Sequence, residues 1–138
     1  MFKNILLAYD GSEHSHRAAR MAGAFAHQQT AFIWIVCVAD RIPPELGEPN
    51  FSQLIEKRKS QAQEKIDEAR RLIGDHVQTQ QEILFGDTAE SVINVAETRQ
   101  CDLIVIGSRG LGTLSALLLG SQTQKVIHLA KCAVLVVK

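Results

Sequence analysis

The sequence predicts an open α/β fold on a mainly parallel sheet, and three observations carry that prediction. Apolar runs at residues 5–8, 32–38, 103–106 and 133–137 contain no charge, as strands covered on both faces require. Between the runs, apolar residues recur at helical spacing, so the elements read βαβαβαβαβ. Several strands end in Asp, Gly and Ser clusters that open the following helix, as at 10–12 and 86–88. With 138 residues the chain is one domain, large enough to bury its own core.

Taken in order, residues 5–8 form a short buried strand, and Asp10-Gly-Ser12 breaks it into a turn able to cap a helix. Ala18, Met21, Ala22 and Phe25 then mark one helix face by their i, i+3, i+4, i+7 spacing. The run 32–38, rich in β-branched and aromatic residues, is a mid-sheet strand. Residues 40–50 contain all three prolines, Pro43, Pro44 and Pro49, together with Gly47, and are expected to be a loop. From about 52 to 73 a polar helix keeps Ala62, Ile66, Ala69 and Ile73 in register until Gly74 stops it. Its mixed charges at 56–59 and 68–71 read as a solvated face. Residues 77–84 alternate loosely and are polar, as suits an edge strand. Gly86-Asp87-Thr88 turns into a helix that buries Ala89, Val92, Ile93 and Ala96. Residues 103–106 are the fourth strand, 121 to about 130 the last helix, and 133–137 the fifth strand.

Composition narrows the function. Fifteen basic residues balance fifteen acidic ones, so no field draws the chain to nucleic-acid backbones or anionic membranes. Cys37, Cys101 and Cys132 stand far apart in sequence without a C-x-x-C pair, and read as free thiols in a reducing compartment. The first ten residues reach an acid at Asp10, and no apolar stretch approaches the ~20 residues of a membrane span. A soluble, cytoplasmic protein is expected.

Chemistry concentrates in Gly107-Ser-Arg-Gly110 and, nine residues on, Gly120-Ser121. Spaced glycines between a strand and a helix expose backbone N–H groups to an anion. Ser121 and Gln124 have the spacing of a capping box, the hydroxyls of Ser121 and Thr123 add donors, and Arg109 adds positive charge. That set suits a polyphosphate. A P-loop is excluded because no lysine follows Gly110, Gly112 or Gly120, and the third glycine of G-x-G-x-x-G is replaced by Ser115.

In open α/β sheets, ligands sit beyond the carboxyl ends of the strands, where Asp10, Val38 and Gly107 fall. Asp10 fits either a ribose hydroxyl or Mg²⁺ ligand or a plain turn cap, and the residues alone leave both open. His14 and His16 point to opposite helix faces, so they share no ion and read as solvated surface. His27, His76 and His128 stand alone, with no nucleophile context in sequence.

The segments KNILLAYDGS (3–12), VCVAD (36–40), GDTAE (86–90), CDLIVIG (101–107) and CAVLVV (132–137) resemble the universal stress protein family from end to end. The most specific likeness is that family's ATP signature, G-x2-G-x9-G-[ST], met by Gly107, Gly110, Gly120 and Ser121. The resemblance implies a Rossmann-like five-stranded parallel sheet of order 3-2-1-4-5 with helices on both faces. It also implies a homodimer joined through the last strand, Ala133 to Val137, and ATP, with Mg²⁺, as ligand. Carried over by position, Asp10 meets the ribose or the metal and Val38 the adenine. Gly107, Arg109, Gly110, Gly120 and Ser121 surround the ribose and phosphates, with Gln122 and Thr123 as further donors.

Two departures stand out. Gln122-Thr123 replaces the usual Val-Ser, so that a long amide either crowds the phosphates or donates to them, and Ala133 replaces a proline. The expected function is an ATP-binding stress-response or regulatory dimer. The alternatives are a slow ATPase and a nucleotide-independent interaction module with a vestigial pocket. The motif supplies glycines and one arginine but no base and no P-loop lysine, so slow turnover or none is expected.

Overall fold

A computed structural model of the chain describes residues 1–110 and 119–138. Gly112 and Ser115, named above in excluding a dinucleotide motif, lie outside the described residues. In chain order the elements are β1 (Asn4–Ala8), α1 (Glu13–Gln29), β2 (Phe32–Ala39), a 3₁₀ turn (Pro44–Leu46) and α2 (Asn50–Ile73). There follow β3 (Thr79–Phe85), α3 (Thr88–Thr98), β4 (Leu103–Gly107), α4 (Ser121–Leu129) and β5 (Ala133–Val137).

The strands form one sheet of order β3-β2-β1-β4-β5, with every neighbouring pair parallel. Parallel strands are joined by right-handed crossovers, so the direction of winding decides which face each helix covers. The chain winds from β1 out to β3, then jumps back to β4 beside β1 and winds the other way. Accordingly α1 and α2 bury Ile5, Leu7, Ile33, Ile35 and Val105 on one face. On the other face Leu6, Val36, Ile104 and Ile106 cluster with Ala89 and Val92 of α3 and Val126 of α4. Alternate residues of each uncharged run thus feed opposite cores, which is why these runs lack polar positions.

Helix starts follow the turn chemistry. Ser12 caps α1, its hydroxyl accepting from the Ser15 N–H at 3.2 Å, and the Asp87 carboxylate caps α3 by accepting from Glu90 N–H at 3.1 Å.

The structure corrects several sequence expectations. Met21 is 44% exposed, because the buried stripe of α1 runs through Ser15, Ala18, Ala19, Ala22, Gly23 and Ala26, small residues that let α1 pack closely. The 40–50 loop is partly helical: Pro44–Leu46 form a 3₁₀ turn and α2 already starts at Asn50, since proline is tolerated at a helix start. Val77 precedes β3, which runs to Phe85. Ser121 is the first helical residue of α4 rather than its cap. Gly120 takes the cap position, with no side-chain hydrogen bond there, and Gln124 donates its amide to the Leu119 carbonyl at 3.2 Å. The three cysteines are free thiols.

Candidate functional site

At the sheet's switch point β1 and β4 run side by side, pairing Leu7 with Val105, and the chain then leaves β1 for one face and β4 for the other. The divergence opens a crevice of about 500 Å³ at the carboxyl ends of the strands. Asp10, Val38, Gly107, Arg109, Gly110, Gly120, Ser121, Gln122 and Thr123 all line it. Residues more than a hundred positions apart in sequence therefore meet in one crevice.

Close contacts explain the glycines. Oδ1 of Asp10 accepts from the Ser12 N–H at 2.9 Å, while a Cβ on Gly110 would lie 2.4 Å from Oδ2. A side chain at 110 cannot coexist with the Asp10 carboxylate as placed. A Cβ on Gly107 would lie 2.8 Å from Cβ of His14, so β4 meets the start of α1 backbone to backbone. The Gly120 N–H donates to the Ser108 carbonyl at 2.8 Å and thereby brings the α4 N-terminus against the end of β4. A helix start carries N–H groups without intrahelical partners and a partial positive charge, the features that hold an anion.

Two side chains expected to serve a ligand are engaged with the protein. The Thr123 hydroxyl, buried, donates to the Gly107 carbonyl at 2.8 Å. The Gln122 amide, at the crevice wall, bonds to the start of α3. Its Oε1 accepts from the Ala89 N–H at 2.9 Å and its Nε2 donates to Asp87 Oδ1 at 3.2 Å. Gln122 thus satisfies an orphan N–H at the start of α3. Lys125 Nζ reaches the same carboxylate at 3.2 Å, and the backbone bond from Glu90, then these donors, hold the Asp87 carboxyl below its usual range.

The structure also uses residues that the sequence reading set aside. His14 is half-buried: Arg109 Nη2 lies 2.7 Å from its Nε2, and Ser108 Oγ lies 2.8 Å from its Nδ1. His16 faces the other way, bonded to Glu68 at 3.0 Å, and Glu68 also accepts from the Tyr9 hydroxyl. Burial, then the Glu68 bond, push the Tyr9 hydroxyl far above its ordinary range. On α2, Arg58, Gln61 and Lys65 line the same crevice as Arg109, with Arg58 donating to the Asp40 carbonyl at 3.3 Å. Positions 58, 61 and 65 share a helix face with the buried Ala62, a spacing present in the sequence. No comparable signal marks His14, whose role comes from the close approach at Gly107.

Among the described residues no group of three or more His, Cys, Asp or Glu side chains is placed to hold a metal ion. A cation here would therefore be shared with a ligand. The Asp10 carboxylate fits Mg²⁺, which takes one or two carboxylates and completes its shell with phosphate oxygens and water.

Fold and crevice define an open, doubly wound α/β protein with a polar site at its switch point. The sequence model of the Universal stress protein family matches residues 1–138, and the chain belongs to that family. It is 43% identical over 139 residues to "Universal stress protein in QAH/OAS sulfhydrylase 3'region" of Thermus aquaticus, covering both chains completely. It is 33% identical to universal stress protein MJ0531 of Methanocaldococcus jannaschii, covering 100% of this chain and 83% of that one. The solved structure of hypothetical protein MJ0577 superposes with a TM-score of 0.90 at 29% identity, covering 100% of this chain and 96% of that one. Universal stress protein structures in complex with cAMP and with dAMP share the fold at TM-scores of 0.70 and 0.65 and identities of 23% and 17%. They cover 99% and 100% of this chain and 97% and 98% of theirs. Among the described residues no helix is long and apolar enough to cross a membrane.

Proposed function

We propose that the chain is a regulatory protein of the stress response that binds ATP, with Mg²⁺, in the crevice between β1 and β4, and acts as a homodimer. One observation carries the reading: the four positions of the G-x2-G-x9-G-[ST] signature line a single crevice together with Asp10, Val38 and Arg109. In this reading Val38, with Val36 and Ala39 beside it, takes the adenine, and Asp10 takes the ribose or the metal. Gly107, Gly110, Gly120 and Ser121 offer backbone to the phosphates, and Arg109 supplies charge. Gln122 and Thr123 contribute backbone N–H groups, their side chains being bound elsewhere. The adenine nucleotides named for the two fold neighbours are chemically consistent with this assignment.

The dimer reading rests on β5. Among the described residues it is an edge strand, paired with β4 alone, and its outer rail of N–H and C=O groups is a template for a second strand. Ile127 and Leu129 of α4, 42% and 51% exposed, add apolar surface close in sequence.

Calorimetric titration with ATP and Mg²⁺ tests the ligand, and sedimentation tests the dimer. Saturable binding below millimolar nucleotide and a species of twice the chain mass are expected. No binding at millimolar ATP would overturn the first reading, and a monomer throughout the micromolar range the second. Phosphate release well above background, lost in Asp10→Ala, would replace the regulatory reading with that of a slow ATPase.

A further inference from the structure

We propose that His14 is a positioning residue for polyphosphate: it holds the Arg109 guanidinium at the mouth of the crevice. This rests on the ATP-binding reading above and goes beyond it by naming a residue outside the glycine signature that sets affinity for phosphate.

The geometry requires a particular protonation pattern. A guanidinium only donates, so the 2.7 Å contact from Arg109 Nη2 makes His14 Nε2 an acceptor. A neutral imidazole with a bare Nε2 carries its proton on Nδ1, and Nδ1–H then donates to Ser108 Oγ at 2.8 Å. Ser108 is itself fixed, 6% exposed, with its N–H donating to the Val137 carbonyl at 2.7 Å. The ring is therefore held from below by the end of β4 and holds Arg109 from above. Burial first, then the charges of Arg109 and Arg17, lower the His14 pKa, which agrees with an uncharged acceptor. Gly107 completes the device, because the absence of a side chain there lets the His14 backbone lie against β4.

Long arginine side chains lose rotamer freedom when they grip a ligand, and a neutral acceptor on the protein removes that freedom beforehand without cancelling the charge. A carboxylate at position 14 would orient Arg109 equally well but would neutralise it. Histidine orients the guanidinium without adding a negative charge of its own.

The test compares His14→Leu, which removes the acceptor, with His14→Gln, whose Oε1 restores one near Nε2. Each is titrated with Mg²⁺-ATP and with adenosine, and Arg109→Met alone and combined with His14→Leu completes a cycle. Thermal unfolding of every variant reports folding. Expected are an about tenfold loss of ATP affinity in His14→Leu, unchanged adenosine affinity, recovery to within about threefold in His14→Gln, and no further loss from His14→Leu once Arg109 is gone. Four results would overturn the proposal: ATP affinity equal to the unaltered chain, equal loss for ATP and adenosine, no recovery in His14→Gln, or full additivity with Arg109→Met. Should His14→Leu fail to fold, His14→Ala, which also removes the acceptor, takes its place in the two Arg109 backgrounds and gives the same reading through the cycle. Absence of ATP binding by the unaltered chain would overturn the functional reading itself, a result distinct from all four.

Discussion

Gly107 and Gly110 belong to one sequence motif, yet a methyl group would meet different obstacles at the two positions. At Gly110 the obstacle is the end of a side chain, Oδ2 of Asp10 at 2.4 Å, which can rotate away. Gly110→Ala is expected to fold with little change in unfolding midpoint while ATP affinity falls by about tenfold, since Asp10 leaves its place in the crevice. At Gly107 the obstacle is the start of α1, with His14 Cβ at 2.8 Å and its carbonyl carbon at 3.0 Å. Gly107→Ala must push a helix off the sheet and is expected to cost about 1–3 kcal/mol in urea unfolding. Equal stabilities of the two variants would show that the β4–α1 contact is softer than its spacing indicates. The motif was legible in the sequence, but the division of labour within it was not. Two glycines look alike until the chain brings Asp10 and His14, about a hundred residues away, against them.

At the scale of elements, α3 depends on α4 for its start. Asp87 caps α3 through Glu90 N–H, and Gln122 and Lys125 of α4 converge on the same carboxylate. The carboxyl is held below its ordinary value, so the folded state binds a proton less readily than the unfolded chain. The stabilisation is thus fully present above the unfolded value, near pH 4, and is lost as pH falls below it. Asp87→Ala is expected to lower stability by about 1 kcal/mol at pH 7, and the gap to the unaltered chain should be smaller at an acid pH below the unfolded value. Denaturant unfolding at both pH values checks this, and a gap independent of pH would exclude the charged cap as its source. The cap itself was legible, because Gly86-Asp87-Thr88 precedes a helical pattern. The clasp was not: Gln122 reads locally as a residue at the phosphate end of α4, and only the packing of α4 beside α3 gives its amide another partner. Likewise the charges at 56–59 of α2 read as solvated, although Arg58 lies on the stripe that continues through Ala62 and Lys65.

At the scale of the whole molecule, strand composition and element order were enough to fix an α/β sheet with both faces covered. The strand order came from likeness to a family, because uncharged strands of similar length carry no intrinsic label for their neighbours. That order has an energetic consequence. The two hydrophobic clusters lie on opposite faces of one sheet, and the crevice touches β1, β2 and α2 on one side and β4 and α4 on the other. A ligand seated there and absent from the unfolded chain stabilises the molecule as a unit rather than one face of it. At ATP a hundredfold above its dissociation constant the gain is about 2.7 kcal/mol, which slows exchange through global unfolding by about a hundredfold. Hydrogen exchange should therefore show the slowest amides of both clusters, those of Ile33 and Ile35 on β2 and of Ile104 and Val105 on β4, retarded by the same factor when Mg²⁺-ATP is added. Protection confined to Gly107, Gly120 and their neighbours would mean that the crevice closes locally and that the two faces unfold independently.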